Sequence, residues 1–251
     1  MTLPTVLLPG FFAGAAPYRG LETALNQSGI PTTVVPLKRR DWLPTVGGRS
    51  VTPILQKLDQ TVQAVRQQYD GSKINLVGHS AGGWIARIYL GDIPYTVHAQ
   101  DATNPHIWNA QAYVNTLVCL GTPHRSEEKW TKRNLNFVNT TYPGAFYSSV
   151  RYVCIAGKSV LGKRGRFGSN FAYKSYQLTC GNGECWGDGI TPISAAHLNG
   201  AENITLDGVN HSPDPRSNYF WYGSKNIFPT WATYLKSSAD SSPTELADLK
   251  S

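Results

Sequence analysis

Six short apolar, β-branched runs constrain this chain more than any other feature: TVLLP (5–9), TTVVPL (32–37), KINLVG (73–78), VNTLVCLG (114–121), VRYVCIAG (150–157) and NITLDG (203–208). They are nearly continuous rather than alternating, which is the pattern of strands buried on both faces. Between several of them the apolar period changes to that of a helix. Over 53–69, Ile54, Leu55, Leu58, Val62, Val65 and Tyr69 repeat at helix spacing. Thr52 stands where a cap is wanted, and Pro53 suits a first turn. Leu21, Ala24 and Leu25 predict a shorter helix with Gly29 as its stop. Strands alternating with helices predict an α/β fold, a mostly parallel central sheet flanked by helices.

The chain has 251 residues, 41% of them hydrophobic, enough for one large domain with a buried core. We expect that domain over 1–236, followed by a polar, fraying tail at 237–251. Three stretches break the strand–helix rhythm: 91–113, 122–149 and 158–186. They leave from carboxyl ends of strands, where open α/β sheets bind ligands, and are expected to form cap or lid insertions around an active site. No run approaches the ~18–20 apolar residues of a membrane span. The opening MTLPTVLLPG lacks the basic region of a signal peptide, so the expected location is cytoplasmic or peripheral at a membrane.

The formal net charge is +7. Much of the excess is local, in Lys38, Arg39 and Arg40 and in Lys158, Lys163, Arg164 and Arg166. No nucleic-acid motif accompanies either cluster, so nucleic acid is not an expected partner; anionic membrane lipid is a candidate partner for the 158–166 cluster, with a plain solvated loop as the alternative ranked above it. Cys119 and Cys154 lie in apolar runs, as buried thiols do. Cys180 and Cys185 lie in CGNGEC, a loop a disulfide can close, but a reducing compartment would leave them free. No Cys/His ligand spacing predicts a metal. The Asn-x-Ser/Thr sequons at Asn26, Asn139, Asn203 and Asn210 are read as chance.

Gly78-His79-Ser80-Ala81-Gly82 fits G-x-S-x-G between the strand KINLV and the helical segment AGGWIARIYL. Such a serine sits on a sharp strand-to-helix turn that holds its Oγ clear of the sheet, and the glycines are needed because Cβ atoms would collide across the bend. Serine needs a base to take its proton. Of six histidines, His211 follows the last strand and comes last in chain order, as the Ser…Asp/Glu…His sequence of this arrangement requires. His124 and His197 are the alternatives. The acid that orients the base is expected between 157 and 211. Asp188, in WGDGITP, is preferred over Glu184, Glu202 and Asp207. Two amides should hold the oxyanion, those of Ala81 and of Phe11 in LPGFFAG. The ring of Phe12 is a candidate for the acyl pocket or for plain core. Trp130, Tyr142, Phe146 and Trp186, in the long inserts, are candidates for a cover over that pocket.

LPGFFAG, GHSAGGW, LGTPH, WGDGITP and DGVNH, in this order, resemble the lipase/esterase branch of the α/β-hydrolase superfamily over about residues 5–236. YVCIAG, WGDGITPISAAHL, NITLDGVNHSP and FWYGS look more narrowly like a cyanobacterial and plastid group of lipase-like proteins. The resemblance implies a Ser80–His211–Asp188 triad, no metal or organic cofactor, and hydrolysis of carboxylic esters, lipid acyl esters in particular. A thioesterase, an acyltransferase or a non-turning ligand-binding scaffold would share much of this sequence. Pro9-Gly10 departs from the His-Gly that many relatives carry in the first oxyanion loop.

Overall fold

The computed structural model describes residues 2–165, 169–212 and 220–236. All six apolar runs form strands of one fully parallel sheet: β1 (Thr5–Leu8), β2 (Thr32–Val34), β3 (Ile74–His79), β4 (Val114–Leu120), β5 (Arg151–Lys158) and β8 (Glu202–Asp207), in the order β2-β1-β3-β4-β5-β8. The intervening β6 (Val160–Leu161) and β7 (Trp186–Gly187) form a small antiparallel pair, and β9 (Val209–Asn210) pairs with β10 (Phe220–Trp221).

The helices are α1 (Arg19–Gln27), α2 (Thr52–Gln68), α3 (Ala81–Leu90), α4 (Ala99–Thr103), α5 (Lys129–Thr141), α6 (Ser169–Cys180), α7 (Ile193–Ala196) and α8 (Phe228–Ala232). Thr52 opens α2 rather than capping it. The N-cap position falls on Val51, which has no side-chain acceptor, and Ser50 Oγ just before it accepts from the Thr52 amide at 3.1 Å. The three long inserts carry α4, α5 and α6. The expected tail at 237–251 lies outside the described residues, as does Arg166.

Side chains alternate across the sheet with period two. Leu8, Leu76, Leu117, Cys119 and Cys154 join a core under α2 and α3, while Leu7, Val77, Val118, Val153 and Ile155 join one under α1 and α8. Each fully buried aliphatic side chain contributes about 1.5–3 kcal/mol, so two cores hold the sheet from both sides. The run NITLDG is the exception to two-sided burial. β8 ends the sheet order, and four of its six residues are exposed. Helix α3 is the opposite case: all ten residues are buried, including Arg87.

No helix among the described residues is long and apolar enough to cross a membrane.

Candidate active site

Because the sheet is parallel, the loops after β1, β3, β4, β5 and β8 leave from one edge. Ser80 follows β3 there with φ 53° and ψ −126°, a strained combination for a residue with a side chain, costing of order 1–3 kcal/mol. Its amide is tied to Leu120 O at 2.8 Å. The glycines leave room for the turn. A Cβ on Gly78 would lie 2.4 Å from Gly83 Cα, and one on Gly82 would lie 2.4 Å from Leu8 O.

His211 follows β9, and its Nδ1 lies 2.8 Å from Asp188 Oδ2. The backbones repeat the pairing, with His211 N donating to Asp188 O at 2.9 Å. Asp188 directly follows β7 and is only 2% exposed. Burial alone would raise its carboxyl pKa, but His211, the Thr191 amide and the Tyr222 hydroxyl outweigh it and hold the group below the usual carboxylate value. An ionised Asp188 accepts only, so the proton between the two residues sits on Nδ1. Nε2 is left with a lone pair, the state a base needs. Two of the three remaining candidate acids are engaged elsewhere: Glu202 pairs with Arg151 at 2.8 Å and Asp207 with Lys158 at 3.0 Å.

A cavity of about 420 Å³ is lined by Ser80, Ala81, Phe11 and His211 together. The structure thus brings the expected nucleophile, base and oxyanion residues to one place, with Asp188 directly behind His211. Trp42, Trp84, Val51, Ile190 and Trp130 give the cavity apolar walls. Phe12 belongs neither to that lining nor to the core. Its φ is 56°, its ring is 40% exposed, and it packs edge-on against Phe11 with ring centroids 4.7 Å apart. Trp42 takes the wall position instead, fixed by its indole N–H to Ala13 O at 2.8 Å. Of the expected covering aromatics, Trp130 reaches this cavity, while Tyr142 is buried and packs against Phe146 and Tyr147.

Two tyrosines and one histidine were not legible as site residues. Tyr222 donates to Asp188 Oδ2 at 2.7 Å while accepting from the Gly157 amide at 2.8 Å. His79 occupies the variable position of the motif, yet it is 3% exposed and bonds His211 O through Nε2 at 2.8 Å and Tyr18 Oη through Nδ1 at 2.7 Å. A carbonyl only accepts, so His79 carries its proton on Nε2, and Tyr18 donates to Nδ1. Tyr18 Oη in turn accepts from Gly10 N at 3.1 Å. Three one-way hydrogen bonds therefore join Gly10, in the loop after β1, to the backbone of His211. Burial, aided by the charge of a protonated His211, pushes the His79 pKa down to about 3 and keeps it neutral. The presence of a histidine in GHSAG was the only signal for this link; Tyr18 stands at no motif spacing, and Tyr222 stands in FWYGS, where nothing pointed to a contact with Asp188.

His124 and His197, the other candidate bases, are placed differently. His197 bonds Thr205 Oγ1 at 3.2 Å, and His124 lies beside Cys154.

No protein-family model matches the sequence, and no curated protein matches it, so the narrower cyanobacterial and plastid likeness finds no support there. Solved structures do match. The mature form of the Bacillus licheniformis lipase BlEst2 superposes with a TM-score of 0.61 at 18% identity, covering 94% of this chain and 93% of that one. Its propeptide form gives 0.56 at 18% identity, covering 97% of this chain and 52% of that chain. At such identity the likeness speaks for architecture alone. The parallel six-stranded sheet, its flanking helices and these neighbours identify the chain as having the α/β-hydrolase fold.

Proposed function

We propose that this protein is a serine hydrolase that cleaves carboxylic esters, lipid acyl esters in particular, through an acyl-enzyme on Ser80. The observation that carries this reading is the cavity in which Ser80, Ala81, Phe11 and an Asp188-oriented His211 meet. Ser80 Oγ attacks the ester carbonyl and gives its proton to His211 Nε2. The Ala81 and Phe11 amides hold the oxyanion. His211 then protonates the departing alcohol, and a water activated by the same nitrogen releases the acid.

An apolar, aromatic wall favours an acyl chain over a small polar acid. Exposed apolar side chains add to this. Phe11 and Trp130 line the cavity and are themselves exposed, and Leu43 and Val46 are exposed on the 39–46 segment that carries Trp42 and Thr45 into the wall; Lys38, Arg39 and Arg40 are exposed where that segment begins. Apolar tips beside cations fit an anionic bilayer surface. The 158–166 run is a second basic segment for such contact: Lys163 and Arg164 are exposed, while Lys158 is paired with Asp207 and stacks over Trp186.

The test is fluorophosphonate labelling with peptide mapping, together with hydrolysis of p-nitrophenyl esters of graded chain length. Label on Ser80 and loss of turnover in Ser80→Ala support the reading. An unlabelled Ser80 in a folded protein refutes it in favour of a binding scaffold. Acyl thioesters in the same panel separate a thioesterase.

A further inference from the structure

Away from the candidate site, four buried side chains meet between the sheet and α3. Cys119 on β4 and Cys154 on β5 are register partners on the same face, 1% and 0% exposed. His124 follows β4, with its backbone pinned by His124 N to Ala195 O and by Asn139 Nδ2 to His124 O, both at 2.8 Å. The two sulfurs and a ring nitrogen of His124 all lie within 4.8 Å of one another. Arg87 of α3 completes the group, Nη1 lying 3.4 Å from His124 Nδ1.

Arg87 is 2% exposed, and its other partners are neutral: Asn139 Oδ1 at 2.9 Å, Tyr142 O at 2.8 Å and Gly144 O at 3.4 Å. Among the described residues, no Asp or Glu pairs with it. A buried guanidinium stays charged and calls for an anion nearby. The groups facing it that could supply one are Cys119, Tyr152 and Cys154; burial pushes the Tyr152 hydroxyl up to about 12, which leaves a thiolate of the cysteine pair.

The hydrogen-bond directions agree. Arginine only donates, so His124 Nδ1 accepts and its proton sits on Nε2. Nε2–H then points to the Cys154 sulfur at 3.4 Å. The ring thereby turns an N–H, not a lone pair, toward the sulfurs. That arrangement stabilises a thiolate and disfavours a metal, which needs the lone pair. A hydrogen bond from Cys154 above all, with His124 and Arg87 adding to it, pulls the Cys119 thiol down to about 5 despite burial. Cys154 is correspondingly held well above its ordinary range.

We propose that Cys119 and Cys154 form a peroxide-oxidisable dithiol beneath the nucleophile helix, with the single thiolate the pair shares serving as counter-ion to Arg87. The thiolate attacks hydrogen peroxide, breaking the O–O bond to give a cysteine sulfenic acid and hydroxide. The thiol of the other cysteine then attacks that sulfur, forming the disulfide, and its proton leaves with the hydroxyl as water. The two sulfurs lose two electrons in all, and one peroxide is reduced. Neighbouring strands lie about 4.8 Å apart, inside the Cα separation of roughly 4.4–6.8 Å a disulfide spans. Closure consumes the anion and leaves Arg87 buried without it. Because α3 begins directly after Ser80, oxidation lowers ester turnover several-fold, reversibly with dithiothreitol; this last consequence rests on the hydrolase reading.

The half-exposed Cys180 and Cys185 are removed for the test by Cys180→Ser and Cys185→Ser in the full chain. Hydrogen peroxide is added, thiols are blocked in denaturant, and intact mass and peptide maps are recorded. The expected result is loss of two hydrogens, a peptide joining Cys119 to Cys154, and at least tenfold slower closure in Arg87→Gln. Should that variant misfold, thiolate absorbance at 240 nm decides independently: present at pH 7 and lost when Cys119→Ser and Cys154→Ser are combined. Protein without that absorbance, thiols that stay reduced, or tightly held metal in the purified protein would each overturn the proposal. The mass readout decides it even if no ester is hydrolysed.

Discussion

Asp188 Oδ2 receives two hydrogen bonds, from His211 Nδ1 at 2.8 Å and from Tyr222 Oη at 2.7 Å. Tyr222 thereby fixes the same carboxylate oxygen that meets His211, while Oδ1 is held by the Ile190 and Thr191 amides. Tyr222→Phe should lower kcat by roughly tenfold with little change in KM. It should also cost about 1–3 kcal/mol of stability, because the Gly157 amide loses its buried acceptor. Ester kinetics and urea unfolding of the variant check both numbers.

Asp188→Asn retains the shape but not the charge. The amide can donate toward His211 Nδ1 and so favour the wrong tautomer, with the proton on Nε2. Turnover should fall by up to about 10⁴. Near-normal turnover in stopped assays would remove Asp188 from the triad.

Gly121 makes space for that carboxylate. It has φ +55°, and a Cβ there would sit 2.6 Å from Asp188 Oδ2 and 2.8 Å from Tyr222 Oη. Gly121→Ala should push Asp188 away from His211 and cost at least about 1 kcal/mol in backbone strain alone. We expect a larger fractional loss of turnover than of folded protein, read by comparing activity per labelled Ser80 with the circular dichroism signal.

His79 imposes a pH dependence on folding. Its pKa is lowered from an ordinary 6.5 to about 3 in the fold, so below about pH 6.5 the unfolded chain binds a proton that the folded one refuses. Stability should therefore fall as pH drops from 6.5 toward 3, by roughly several kcal/mol. Asp188 works in the same direction at the acid end: its lowered carboxyl stabilises the fold above the unfolded value of 3.8 and ceases to do so as pH falls through the folded value. His79→Gln should flatten the 6.5-to-3 part of a stability profile measured by urea midpoints. An unchanged profile would show that His79 does not titrate as described.

Tyr18→Phe breaks the link between Gly10 and His79 at both ends. It should slow acylation by about tenfold through a looser oxyanion loop, measured as the rate of fluorophosphonate labelling.

The sheet was legible because its strands are near-continuous apolar runs, and Ser80 because glycine is required where Gly78 and Gly82 abut Gly83 and Leu8. Asp188 and His211 could be reached through chain order and flanking turns. Tyr18, Tyr222 and Arg87 could not. Each acts through a partner at least 34 positions away, so no local period or spacing carries the signal. Phe12 fits neither of its two expected places, acyl-pocket wall or core, because the left-handed backbone at that residue swings it outward.

Strand β8 has a consequence for how copies of this chain coexist. A parallel sheet with an open border invites another strand to add to it. Here the border strand exposes Glu202 and Asp207 at its two ends, tied to Arg151 and Lys158 of its neighbour. A second molecule extending the ladder at this border would have to strip water from both ion pairs, so this side of the molecule resists the stacking that leads to fibrous aggregates.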